Sequence, residues 1–193
     1  MNLERARVAV HTHGGHTICV DSVRGKLLVA SPGLRDFFRR TVVLVLEHSD
    51  DGAVGLVLNR PSETTVDDAV PDLPVLVDPD DVVHLGGPVG PDSVIVLGRF
   101  DDPDEAASIV LDDLGVVNPE VESPALRAVR VYAGHAGWGP GQLDGELEHD
   151  AWIVEPAQAE DPFEVGDLWS DVLDRKGGGY TLLARMPEDP SLN

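Results

Sequence analysis

The sequence contains a single cysteine, Cys19, among 193 residues. One thiol cannot close an intrachain disulfide, and it excludes the multi-cysteine zinc modules. Basic residues are scarce too: 14 Lys and Arg stand against 35 Asp and Glu, a formal net charge of −21. Nucleic acid and anionic membrane surfaces are recognised through clustered cations, which such a balance does not supply. No apolar run approaches the roughly 20 residues of a membrane-spanning helix, and the first residues lack the apolar centre of a secretory signal. The Gly-x-Ser-x-Gly elbow, the His-Glu-x-x-His zinc helix, the Walker lysine loop and the Gly-x-Gly-x-x-Gly fingerprint are all missing. These absences lead us to expect a cytoplasmic protein with no cofactor and no metal. Neither membrane nor direct nucleic-acid binding is expected among its partners.

The chain is one domain long, and at 42% hydrophobic and 25% charged residues it can bury a core without staples. Its charge is unevenly spread. Residues 1–40 hold seven basic and three acidic groups, a net of +4, so the remaining 153 residues carry −25. Acidic runs such as Asp78-Pro79-Asp80-Asp81 and Asp101-Asp102-Pro103-Asp104-Glu105 match no EF-hand loop and read as solvated connections.

Residues 1–22 read as an irregular arm and residues 23–193 as the domain. Apolar or β-branched runs predict strands over 26–30, 41–47, 53–58, 82–85, 94–98, 128–133 and 152–154. The Ser49-Asp50-Asp51-Gly52 link predicts that the second and third of these pair as an antiparallel hairpin near the centre of a sheet. Residues 36–40 suit one helical turn. Thr65 and Asp68 form a capping box on a short helix ended by Pro71, and Leu143 with Leu147 marks a helix over 142–150. Asp161, Pro162 and Glu164 resemble a helix start, followed by the stripe Val165, Leu168, Trp169, Val172 and Leu173 and a stop at Gly177–Gly179. Strands early and helices late give α+β: a single domain with a mainly antiparallel, barrel-like sheet flanked by a few helices.

Three glycine- or Asn-rich segments close apolar strands. Asn59-Arg60-Pro61 offers an isolated cation for a carboxylate or phosphate. Gly86-Gly87-Pro88 can present N–H donors, as an oxyanion hole does, or simply reverse the chain. The segment from Gly134 to Gln142, with Gly137, Trp138 and Gln142, reads as a strand-to-helix turn able to approach an anion, or as a tight turn with Trp138 in the core. Glu146 and His149, at i and i+3, make one of the two pairs that a di-iron site requires, so an exposed helix face accounts for them more simply. His11, His13, His16 and Cys19 could chelate a transition metal, but their spacing fits no zinc signature.

Gly25-Lys26-Leu27-Leu28-Val29-Ala30-Ser31-Pro32, the stretch from Gly52 to Pro61, Gly86-Gly87-Pro88-Val89, and the stretch from Gly134 to Leu143 with Glu146 and Trp152 behind it occur in an order that resembles the YqgE/AlgH family of small bacterial proteins. The resemblance runs from about residue 25 to the C-terminus. It implies an α+β fold with a largely antiparallel, barrel-like sheet, and a label of transcriptional regulator without a recognised DNA-binding motif. Three functions follow. The leading expectation is a binding domain for a small anionic ligand or a protein partner, its site formed by Asn59, Arg60, Gly86, Gly87, Gly134, Gly137, Trp138, Gln142 and Glu146. The second is a hydrolase-like enzyme using Glu146 or His135 as general base. The third is a regulator that acts through protein partners rather than on DNA.

Overall fold

The computed structural model describes residues 9–13, 16–20, 22–71, 73, 77–78, 80–121 and 124–187, the first two ranges by their backbone alone. Strands β1 (Ala9–His13) and β2 (His16–Val20) pair as an antiparallel ribbon with His13 opposite His16. This corrects the expectation of an irregular arm. The sequence between the two paired histidines is Gly14-Gly15, and a two-residue glycine link between β-branched stretches is a hairpin signal.

The domain proper continues through β3 (Lys26–Ala30), β4 (Val42–Ser49), β5 (Gly52–Val57), β6 (Pro61–Thr65) and α1 (Val66–Ala69). Then come β7 (Val82–Leu85), β8 (Val89–Phe100), β9 (Ala106–Leu111), β10 (Leu114–Val117) and β11 (Leu126–Trp138). It closes with α2 (Gln142–Glu148), β12 (Trp152–Pro156), α3 (Leu168–Lys176) and α4 (Tyr180–Ala184). The main sheet has ten strands in the order β12-β3-β4-β5-β11-β8-β10-β9, with β7 added beside β11 and β6 beside β7. Among the described residues every pairing is antiparallel except β7 with β11. The sheet curls into a half-barrel. Arg24 ties the curl together: its Nε donates to the Leu46 carbonyl on β4, and its Nη2 donates to the Ile109 carbonyl on the edge strand β9.

Both faces of the central strands are covered, which is why they read as continuous apolar runs. Along β3 and β4, Leu27, Val29, Val42 and Leu44 pack with Leu56, Leu97 and Tyr132 against Leu168, Trp169, Val172 and Leu173 of α3. The alternate residues Leu28, Ala30, Val43 and Val45 pack on the other face with Trp138, Trp152 and Leu143 of α2. A third cluster, Val66, Val83, Val96, Phe100, Val117 and Val131, lies under the β6–β7 hairpin.

The helix ends differ in one place from the sequence pattern. Residues 161–163 form a single 3-10 turn, and α3 begins only at Leu168, where the Asp167 carboxylate accepts from the Ser170 N–H. Asp161 is instead buried and accepts a two-pronged pair from Arg175. Val165, assigned by the sequence stripe to the buried face, is 89% exposed in the loop between them. Thr65 does cap α1 as expected: its hydroxyl accepts from the Asp68 N–H. No helix among the described residues is long and apolar enough to cross a membrane.

Candidate functional site

Parts of the three glycine- and Asn-rich segments lie side by side at a junction of strands. β11 is flanked by β8 along most of its length; its other side is shared between β7, opposite Tyr132 and Ala133, and β5, opposite Ala136 to Trp138. The chain leaves β7 through Gly86 and Gly87 at the point where one neighbour gives way to the other. Gly86 donates to the Ala133 carbonyl and accepts from Val57, and Leu85 donates to the Arg60 carbonyl. Backbone therefore fills the junction. A Cβ on Gly87 would fall far inside contact distance of the His135 carbonyl carbon, and one on Gly134 would stand 2.6 Å from the Gly87 carbonyl oxygen. Both also have positive φ, +156° and +68°, so glycine is required there by space and by conformation. The segment expected to be a turn is mostly strand: β11 runs on to Trp138 through an irregularity between Ala133 and His135. Only Gly139–Gly141 turns the chain into α2, and with seven residues that helix is one short element.

Asn59 and Arg60 spend their side chains on neighbouring backbone. Asn59 Oδ1 accepts from Val42 N and its Nδ2 donates to the Arg40 carbonyl, locking the exit of β5 to the entry of β4. Arg60 donates to the Asn59 and Arg39 carbonyls. Beyond the junction, Glu146 accepts from three donors: both Trp138 Nε1 and Trp152 Nε1 reach its Oε2, at 2.9 and 2.7 Å, and Gln142 Nε2 reaches Oε1 at 2.9 Å. Gln142 Oε1 in turn accepts from Gly139 N. The Trp–Glu–Trp bridge fastens α2 to β11 and β12. Ala136 and Trp138 pack on the α2 face of β11, so by strand alternation His135 and Gly137 point to the opposite face. His135 and Glu146 do not share a cleft, which separates the two bases proposed for an enzyme. His149, on the exposed end of α2, bonds the Gly145 carbonyl.

A cleft of about 240 Å³ opens between the paired strands β6 and β7, β11 and the loop preceding α3. Its walls combine the apolar side chains Leu58, Val66, Val82, Val129, Val131 and Leu168 with a comparable share of polar surface, and Asn59 and Pro61 line it as well. Two polar groups enter it from mid-strand. His84 of β7 lies next to Tyr132 of β11, ring centroids 5.8 Å apart, and Arg130 Nη1 sits 3.2 Å from His84 Nε2. His84 Nδ1 is 3.3 Å from the Val82 carbonyl. That partner places the proton on Nδ1 and leaves Nε2 to accept from Arg130. Burial lowers the His84 pKa to about 4, helped by the Arg130 charge, so the imidazole is neutral at pH 7. Arg130 also donates to the Phe163 carbonyl, at 3.4 Å, and no carboxylate among the described residues ion-pairs with it. Asp81 and Glu164 line the mouth but are not buried. Tyr132, fully buried behind the pair, has its phenol pKa pushed up by desolvation.

Of the sequence-predicted residues, only Asn59 lines this cleft. His84 and Arg130 were missed because each stands alone inside an apolar strand. A cation in the middle of the run Ala-Val-Arg-Val-Tyr-Ala was the available signal. Among the described residues no group of three or more His, Cys, Asp or Glu side chains is placed to hold a metal. The side chains of His11, His13, His16 and Cys19 lie outside the described ones.

A curled antiparallel half-barrel with α3 and α4 packed on one face and the short α2 on the other defines the class as a small α+β domain. The family model described as AlgH-like, DUF179, matches residues 27–181. The chain belongs to this family. It is 42% identical over 188 residues to a UPF0301 protein of Streptomyces coelicolor, covering 90% of this chain and 97% of that one. It is 41% identical over 183 residues to a UPF0301 protein of Mycobacterium tuberculosis, covering 88% and 90%. Among solved structures it is similar to the protein DIP2367 from Corynebacterium diphtheriae, with a TM-score of 0.77 and 30% identity over 86% of this chain and 94% of that one. It is also similar to the AlgH protein of Pseudomonas aeruginosa, with a TM-score of 0.65, 28% identity and the same coverage.

Proposed function

We propose that the protein is a binding domain for a small anionic ligand, taken up in the cleft between β7, β11 and the loop before α3. The observation that carries this reading is Arg130: a part-buried guanidinium in a partly apolar cleft, with a neutral histidine and a carbonyl for partners and no ion-paired carboxylate among the described residues. A guanidinium presents paired N–H donors that match a carboxylate or phosphate, and charge-assisted bonds strengthen where water is excluded. The neutral His84 orients Arg130 without competing for the anion. Concave, mostly apolar sites with a few convergent polar groups are where small ligands bind.

The enzyme reading has less support, because both carboxylate oxygens of Glu146 are occupied by indole and amide donors. A protein partner is the second reading. Leu85, Val89 and Val94 are 41%, 44% and 44% exposed where β7 passes into β8, a small apolar patch on an otherwise acidic protein. In either case the net charge of −21 speaks against nucleic acid as the partner. A thermal-shift series with short carboxylates and inorganic phosphate tests the first reading. A ligand that binds only the native state raises the melting temperature, and the rise must vanish in Arg130→Gln.

A further inference from the structure

Resting on that reading, the geometry points to one class of anion: a monocarboxylate with a short aliphatic tail, its carboxylate on Arg130 and its tail along the apolar walls. Three observations exclude the phosphorylated metabolites and nucleotides that a lone arginine otherwise suggests.

The first is the charge count at the site. Among the described residues Arg130 is the only cation lining the cleft, while Asp81 and Glu164 both stand at its mouth. A singly charged head is neutralised by one guanidinium. A phosphate or diphosphate carries further charge, and that charge would lie beside two carboxylates on a protein of net charge −21.

The second is donor supply. Sites that hold phosphate gather several backbone N–H groups and cations around three oxygens. Here the backbone of the flanking strands is committed to pairing: His84 and Tyr132 lie opposite each other in the β7–β11 ladder, and Arg130 lies opposite Leu97 in the β8–β11 ladder. The side chain of Asn59 is spent on Val42 and Arg40.

The third is size and lining. The cleft of about 240 Å³ has room for a small organic anion and not for a nucleotide. Beyond Arg130 that space is walled by Leu58, Val66, Val82, Val129, Val131 and Leu168. A tail of three to five methylenes would cover these walls, with the exposed carboxylates of Asp81 and Glu164 left to solvent at the mouth.

The test is a two-dimensional amide NMR titration of the full chain with propanoate, butanoate, hexanoate, inorganic phosphate and pyrophosphate, repeated on Arg130→Gln and Arg130→Lys. Hexanoate should shift amides of β7, β11 and residues 164–168. Its affinity should exceed that of propanoate by about fourfold per added methylene, the increment expected for burying each CH₂. Arg130→Gln should weaken hexanoate about ten- to a hundredfold, and neither phosphate should bind at the cleft. If phosphate or pyrophosphate binds there as tightly as hexanoate and with the same dependence on Arg130, the monocarboxylate assignment is overturned while the anion-binding reading stands. If none of the five probes shifts the cleft amides of the wild-type chain, both fall. A flat dependence on chain length overturns the role of the apolar walls. The wild-type shift map and Arg130→Lys, which keeps the charge, decide the question should Arg130→Gln fail to fold.

Discussion

Arg130 Nη1 stands 3.2 Å from His84 Nε2, a contact between β7 and β11, which pair in parallel. The two residues belong to one unit. Burial and the adjacent guanidinium keep His84 neutral, and the neutral ring accepts a hydrogen bond that fixes the guanidinium in the cleft. Protonating His84 would replace that bond with repulsion between two cations.

The first consequence is a dependence of stability on pH. The folded-state pKa of His84 is lowered to about 4, against an ordinary value of 6.5. Between those values the unfolded chain binds the extra proton, so stability rises with pH through this window and falls as pH drops from 6.5 toward 4. The full difference amounts to about 3 kcal/mol. Urea unfolding at pH 7 and pH 4.5 should show a smaller loss in His84→Gln than in the wild type, since carboxylates titrating in the same range are common to both. Equal losses would remove the neutral-histidine account.

Glu146 is expected to matter for stability. Replacing it with Leu strands the indole N–H groups of Trp138 and Trp152, which should cost about 2–4 kcal/mol in chemical denaturation. Glu146→Gln keeps one acceptor oxygen and should cost about 1 kcal/mol. If Glu146→Leu unfolds at the wild-type denaturant midpoint, the bridge does not hold α2 in place.

The strand junction makes a sharper prediction. Gly87→Ala drives a Cβ into the His135–Ala136 backbone at a positive φ, with no flexible side chain to give way. Gly134→Ala meets the Gly87 carbonyl at 2.6 Å. Both variants should lose more than about 3 kcal/mol or fail to fold. Gly145, inside α2 with nothing within 4 Å of an added Cβ, is the control: Gly145→Ala should stabilise by about 0.5–1 kcal/mol. Circular dichroism melts of the three variants separate these outcomes.

Arg24 closes the curl of the sheet by bonding the carbonyls of Leu46 and Ile109. Arg24→Met should leave the central strands protected in hydrogen exchange while β9 exchanges faster. Unchanged protection of β9 would mean that its pairing with β10 is sufficient alone.

Much of this architecture was legible in the sequence because the central strands are covered on both faces. Lys26–Ala30 and Val82–Leu85 were bounded correctly by their apolar runs alone. β6, β9 and β10 were missed for opposite compositional reasons: Pro61–Thr65 carries little apolar signal, and the other two are short runs between acidic turns. Asp161-Pro162 imitates a helix start, but its carboxylate is drawn instead to Arg175, and the true cap is Asp167. At the site, sequence reasoning favoured glycines and turns, and found the junction. It could not find the cleft, because parallel pairing of β7 with β11 brings His84 and Arg130 together from 46 positions apart. Nothing local marks that pairing.

The most direct measurement is calorimetric titration of hexanoate into the full chain and into Arg130→Gln at pH 7. The account predicts one saturable site in the wild type, weakened about ten- to a hundredfold in the variant, with His84→Gln intermediate. Saturable binding of equal strength in wild type and Arg130→Gln would contradict it.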